Sequence, residues 1–162
     1  MPLSRFLPPA AVLLLVLVAG IVAGCRATTV IGEPDPTPTD MIGLAVELQR
    51  RGVTVADVVS GDAGCTDPDL VPASIAFSAH GLDQVEPLVI RIFIFRNEAA
   101  YERQRPKVDR CAAAFVTDPG SFEALDASPF VMVGQGPWAP AFKQVLRETL
   151  EAGAGGPKDT GG

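Results

Sequence analysis

The chain has 162 residues, of which 48% are hydrophobic and 20% are charged, and its formal net charge is −6 at pH 7. This length suits one domain with a real hydrophobic core. The acidic balance argues against a nucleic-acid partner, whose phosphates favour clustered lysine and arginine, and against broad electrostatic binding to anionic lipid.

The first 24 residues have the order of parts that is typical of a secretory signal peptide. Arg5 adds to the positive terminal amine, an apolar run covers residues 10–20, and the small residues Ala23 and Gly24 precede Cys25. The apolar run is shorter than the roughly 20 residues that a spanning helix needs. Counted over residues 7–24 the apolar stretch is longer, so an uncleaved transmembrane anchor is a second interpretation.

The residues Val22-Ala23-Gly24-Cys25 resemble the lipobox of bacterial lipoproteins. The resemblance implies that the thiol of Cys25 takes a diacylglycerol, that cleavage before Cys25 removes residues 1–24, and that a fatty acid such as palmitate acylates the new amine. Two or more acyl chains anchor a protein stably, at about 0.8 kcal/mol per buried CH₂. The chain would then lie on the extracytoplasmic face of the cell membrane. A plain signal peptide with an incidental Cys25 is the alternative.

The chain has three cysteines, an odd number for an exported protein. If lipid occupies Cys25, then Cys65 and Cys111 remain as a pair in an oxidising compartment, and we predict a disulfide between them. Closing a loop of that length would stabilise the fold by about 4 kcal/mol. Two cysteines and the distant His80 do not make a zinc site, so neither a metal nor a cofactor is expected.

Composition divides the rest of the mature chain into three parts. Residues 25–39 are rich in proline, threonine and acids, which predicts a solvated, flexible spacer. A single folded domain is predicted over residues 40–152, beginning with Asp40 as the N-cap of a first helix. Residues 153–162 are predicted to form a disordered, glycine-rich tail.

Hydrophobic periodicity predicts the elements of the domain. Asn97 is the predicted N-cap of a second helix, which Pro106 should kink or restart, and a third helix is predicted over residues 137–151. Residues 118–129 are expected to be irregular. Strands are predicted over residues 53–59, 73–80, 88–95 and 130–134.

This order of elements predicts an α+β two-layer sandwich, with about four mostly antiparallel strands and about three helices on one face. The helix between strands 88–95 and 130–134 suggests one right-handed crossover. Strand 88–95 should be central because it is apolar on both faces except at Arg91. That arginine is expected to pair with an acid, to extend to the surface, or to line a ligand cleft.

A search for catalytic patterns finds little. His80 is interpreted as a solvent-facing residue at a strand end, since a triad needs a nucleophile and an acid beside it. The glycine-rich residues 134–138 lack the Walker lysine and favour a strand-to-helix turn. Two charged clusters fit solvated surfaces better than metal or anion sites. The clusters are Asp62, Asp67 and Asp69, and Arg103, Arg105, Lys107 and Arg110.

Taken together, these features predict a lipid-anchored extracytoplasmic lipoprotein whose domain binds a partner or supports envelope assembly. The alternatives are an envelope enzyme with an unrecognised active site and a domain tethered by an uncleaved helix. An enzyme should have a concave pocket with convergent titratable groups. A binding module should have an exposed apolar patch or a free strand edge. The sequence identifies no particular protein or small-molecule partner.

Overall fold

The computed structural model describes residues 40–155, which contain three α-helices and one five-stranded sheet. The predictions for residues 1–24 and 25–39, and for most of the tail, lie outside the described residues. The helices are α1 (Met41–Arg50), α2 (Glu98–Ala112) and α3 (Pro140–Gly153). The strands are β1 (Val53–Ser60), β2 (Ser74–Gly81), β3 (Gln84–Ile94), β4 (Phe122–Ala127) and β5 (Phe130–Gln135).

The sheet has the strand order β1-β2-β3-β5-β4, and every neighbouring pair is antiparallel. This arrangement confirms the predicted α+β class and the central position of β3. It corrects the prediction for residues 118–129, because β4 forms within them and pairs with β5 along its whole length. The sequence of β4, FEALDA, has no β-branched residue and carries two acids, so its strand propensity is low. Pairing with β5 overrides that propensity.

The fifth strand also changes the predicted crossover. Residues 130–134 are not parallel to β3, since β5 is its antiparallel neighbour and Ile92 lies opposite Met132. The connection through α2 instead leads from β3 to β4, two parallel strands that are separated by β5. Because the additional strand β4 precedes β5, the crossover through α2 ends at β4, on the edge of the sheet, and the chain then reverses into β5.

Both faces of the sheet are covered, although helices were expected on one face only. Ile92 belongs to a buried cluster with α1 and α3, whereas Phe93 belongs to a second cluster with α2 and the loop over residues 61–73. Successive strand residues point to opposite faces. Because β3 and β5 are apolar on both faces, each face requires a cover. The helices α1 and α3 therefore share one face, and α2 covers the other.

The helix ends show which local signals operate. Asp40 caps α1 as predicted, by accepting a hydrogen bond from the Gly43 backbone N–H at 2.9 Å, and Asn97 caps α2 through the Ala100 N–H. Of the two alternatives for Pro106, a kink or a restart, the restart is absent, since α2 continues through Pro106 as one helix. Past residue 152, α3 continues to Gly153 and Ala154 packs against the first cluster. No helix within residues 40–155 is long and apolar enough to cross a membrane.

Candidate functional site

The two predicted partner cysteines meet between α2 and the loop over residues 61–73. The Sγ atoms of Cys65 and Cys111 are 2.02 Å apart and their Cα atoms are 5.5 Å apart, a geometry compatible with a disulfide bond. Cys111 is buried on the face of α2 that carries Val108 and Ala112. A bond here would hold the loop against α2 and so close the second cluster.

Arg91 occupies the same region, on the central strand β3. Its side chain is 14% exposed, and its Nη2 donates a hydrogen bond to the carboxylate of Asp62 at 3.2 Å. The guanidinium carbon also lies 4.3 Å from the centre of the Phe115 ring, which adds a cation–π attraction. Of the three possibilities considered for Arg91, the structure therefore shows pairing with an acid.

The acidic loop and the basic residues of α2 are separate segments of the sequence, and the structure brings them together. Lys107 forms an ion pair with Asp69, and its Nζ is 3.9 Å from Asp67. The hydrogen bond from Lys107 lowers the pKa of Asp69. Within residues 40–155, no group of three histidine, cysteine or acidic side chains is arranged to hold a metal ion. The contacts of Lys107 with Asp67 and Asp69 attach the loop to α2.

Arg105 makes a second link, from α2 to the edge strand β4. It donates hydrogen bonds to Asp126 and Asp109, and the Tyr101 hydroxyl donates another to Asp126 at 3.0 Å. Burial opposes the charge on Arg105, but its bonds to the two carboxylates outweigh burial and raise its pKa. Two of the four basic residues of α2, Arg105 and Lys107, are thus engaged within the fold.

His80 and Ser74 lie too far apart on β2 to act as a base and a nucleophile. His80 is half-buried and lies opposite Thr54 of β1. Ser74 is six residues away along the strand, which corresponds to about 20 Å. Its hydroxyl donates to the Val71 carbonyl oxygen at 2.9 Å.

The glycine-rich residues 134–138 form a turn that contains Trp138. The indole Nε1 of Trp138 donates to the Gln135 carbonyl oxygen at 3.1 Å. A Cβ on Gly134 would lie 3.1 Å from the same ring and 3.0 Å from the Val89 carbonyl oxygen. The glycine therefore makes room for the tryptophan ring and the neighbouring strand.

A surface cleft of about 480 Å³ lies between the C-terminal end of α2 and the start of β4, and we call it the α2–β4 cleft. Sequence reasoning missed it because half of its lining lies in or next to the stretch expected to be irregular. The only local sign of the cleft in the sequence is the presence of apolar residues such as Phe122 in the otherwise polar stretch 118–129. Its volume is within the range of small-molecule sites, about 300–1,000 Å³. The lining residues are Asp109, Ala112, Ala113, Val116, Pro119 and Phe122.

The opposite edge of the sheet exposes apolar side chains. On α1, Ile42 and Val46 lie one turn apart and are 74% and 60% exposed, and Val58 of the edge strand β1 is 51% exposed. A bulge interrupts β1, and within it Asp57 has a φ of 50°. Bulges and charges at an edge discourage strand addition, so this edge is apolar but partly protected.

The comparisons with known proteins supply no family assignment. No protein-family model matches the chain, and no curated protein or solved structure shows significant similarity to it.

Proposed function

We propose that the chain is a lipid-anchored extracytoplasmic lipoprotein whose domain binds a partner and does not catalyse a reaction. The observation that carries the proposal is that two of the three cysteines lie next to each other in the domain and the third does not belong to that pair. Cys65 and Cys111 lie at bonding distance within the domain, which leaves Cys25 as the odd cysteine beside the apolar N-terminal run. A lipid on Cys25 accounts for all three thiols in an oxidising compartment.

The surface of the domain supports binding over catalysis. The α2–β4 cleft is lined by five apolar side chains and one carboxylate. That carboxylate, of Asp109, is itself paired with Arg105, and elsewhere in the domain Arg91 is paired with Asp62 and Lys107 with Asp69. An active site requires titratable groups that converge on open space. An envelope enzyme nevertheless stays the alternative that a measured turnover would favour.

Mass spectrometry of the chain expressed with its own N-terminus in a bacterial host tests the anchoring. We expect the membrane-bound protein to begin at Cys25 and to carry the mass of a diacylglycerol together with that of one fatty acid. The Cys25→Ser variant should lose this mass, whereas Thr28→Ala, just beyond the lipobox, should keep it.

Two results would contradict the proposal. An intact Met1 with the apolar run retained indicates a transmembrane anchor. A mature chain that begins at another residue and carries no lipid indicates an ordinary signal peptide.

A further inference from the structure

The chemistry of the α2–β4 cleft indicates which ligand it would accept. We infer that this cleft binds a small organic cation with an apolar body, of the size of a benzyl-substituted quaternary ammonium ion. The inference deepens the proposed binding function and rests on it.

The inner part of the cleft excludes a fully polar ligand. Ala112 and Val116 are buried, at 3% and 8% exposure, and the half-buried Phe122 of β4 adds an aromatic ring. None of these side chains can form a hydrogen bond that would replace those a polar ligand makes with water. The body of the ligand must therefore be apolar.

The charges at the cleft favour a positive group on the ligand. Among residues 40–155, Asp109 is the only charged residue that lines the cleft. Its Oδ1 accepts a hydrogen bond from Arg105. Arg105 also donates a hydrogen bond to the carboxylate of Asp126. These three groups together carry one net negative charge.

Two further features act in the same direction. The helix α2 ends at Ala112, and the C-terminal end of a helix carries partial negative charge. Phe122 adds an aromatic ring to the lining, and aromatic rings attract organic cations. An anionic ligand of the same shape would be repelled by the same groups.

The experiment uses the full chain in nanodiscs of zwitterionic lipid, with ¹³C-labelled alanine and valine methyl groups observed by NMR. Titration with benzyltrimethylammonium should shift the methyl signals of Ala112, Ala113 and Val116 and reach saturation. Tetramethylammonium lacks the apolar body and should bind at least about tenfold more weakly. Benzylsulfonate reverses the charge and should be weaker by a similar factor.

Two variants with matched controls test the site. Asp109→Asn should weaken benzyltrimethylammonium binding about two- to fivefold, as expected for an exposed charge pair, and should leave the binding of neutral benzyl alcohol unchanged. Glu102→Gln makes the same charge change on the same helix away from the cleft, and should have no effect. Ala113→Trp, at the exposed residue that follows α2, should fill the cleft and abolish the shifts at Ala112 and Val116. Ala99→Trp, at an exposed position within α2, should preserve them.

Each adverse result has a defined meaning. Equal binding of benzylsulfonate, or unchanged affinity in Asp109→Asn, overturns the preference for a cation. Saturable binding that survives Ala113→Trp overturns the location. A lipidated Cys25 on a chain that binds none of the probes overturns this inference alone, and an unlipidated chain that binds benzyltrimethylammonium overturns only the proposed anchoring.

Discussion

The carboxylate of Asp83 accepts a hydrogen bond from the backbone N–H of Phe142 at 2.9 Å, across 59 residues of sequence. A second bond of 2.9 Å comes from the N–H of Ala141. The N-cap residue of α3 is Ala139, which has no side-chain acceptor of its own. The turn between β2 and β3 therefore caps α3, because the first N–H groups of any helix need acceptors from outside that helix.

Replacing Asp83 tests this cap. We expect Asp83→Ala to lower the Tm of the full chain by several degrees, because two N–H groups lose their acceptor. Asp83→Asn keeps one acceptor oxygen and should lower the Tm less. Glu86→Ala, an exposed acid in the same hairpin, serves as the control. Thermal unfolding followed by circular dichroism measures the effect, and equal Tm values for the native chain and Asp83→Ala would rule out the cap.

The same cap predicts a dependence on pH. The hydrogen bond from Ala141 lowers the pKa of Asp83 below its ordinary value, burial opposes this, and the bond from Phe142 adds to the lowering. A carboxyl group with a depressed pKa contributes stability above its unfolded pKa, and this contribution is lost as the pH falls through the folded pKa. The Tm difference between the native chain and Asp83→Ala should therefore be constant near neutral pH and vanish in acid. A difference that persists after Asp83 is protonated would contradict this explanation.

Gly64 provides a steric test of the Arg91 site. Its φ is +74°, and a Cβ there would lie 2.3 Å from Cδ1 of Phe115 and 2.7 Å from Nε of Arg91. Gly64→Ala should lower the free energy of unfolding by more than about 1 kcal/mol, through backbone strain and displacement of both side chains.

Gly61 is the matched control for that substitution. It also has a positive φ, +81°, but the nearest atom to its added Cβ would be 3.7 Å away, in Val71. Gly61→Ala therefore introduces backbone strain without the clash. Urea unfolding of both variants separates the two effects. Equal losses of stability would show that Phe115 and Arg91 do not pack tightly against Gly64.

The cysteine pair predicts a large effect on stability. Cys65 and Cys111 are 46 residues apart in sequence. On the chain-entropy model, a bond between them lowers the entropy of the unfolded chain and so stabilises the fold by about 4 kcal/mol. The double variant Cys65→Ser/Cys111→Ser should lose a comparable part of its free energy of unfolding. Reductant should destabilise the native chain and leave the double variant unchanged. Peptide mapping without reductant should recover the two cysteines in one linked fragment, and free thiols at both positions would contradict the prediction.

Thr149 predicts a substitution that increases stability. It is 1% exposed on α3, and its hydroxyl has no hydrogen-bond partner among residues 40–155. Such a buried polar group costs about 1–3 kcal/mol. Thr149→Val should therefore raise the free energy of unfolding by about 1 kcal/mol, whereas Thr149→Ala also removes a packed methyl group and should not. A loss of stability in Thr149→Val would show that the hydroxyl is satisfied.

Features that depend on near neighbours in sequence could be predicted from the sequence. Asp40 and Asn97 are predictable as N-caps because the capping bond is local. Each side chain accepts a hydrogen bond from a backbone N–H only three residues ahead. The apolar residues of β3 and β5 predicted buried strands for the same local reason. The sequence also favoured Cys65 and Cys111 as partners, but only by elimination once Cys25 had been assigned.

Only the tertiary structure decided which distant residues meet. It formed β4 from a segment of low strand propensity, because β5 supplies the pairing that the segment itself does not favour. It selected Asp62 for Arg91, 29 residues away, and Asp83 for the N-terminus of α3. The α2–β4 cleft arose in the same way, where a helix end and an edge strand come together. The spacing of apolar residues along the sequence determines which face of a helix or strand is apolar. Which distant residue that face contacts depends on the path of the whole chain, because the path decides which segments lie next to each other.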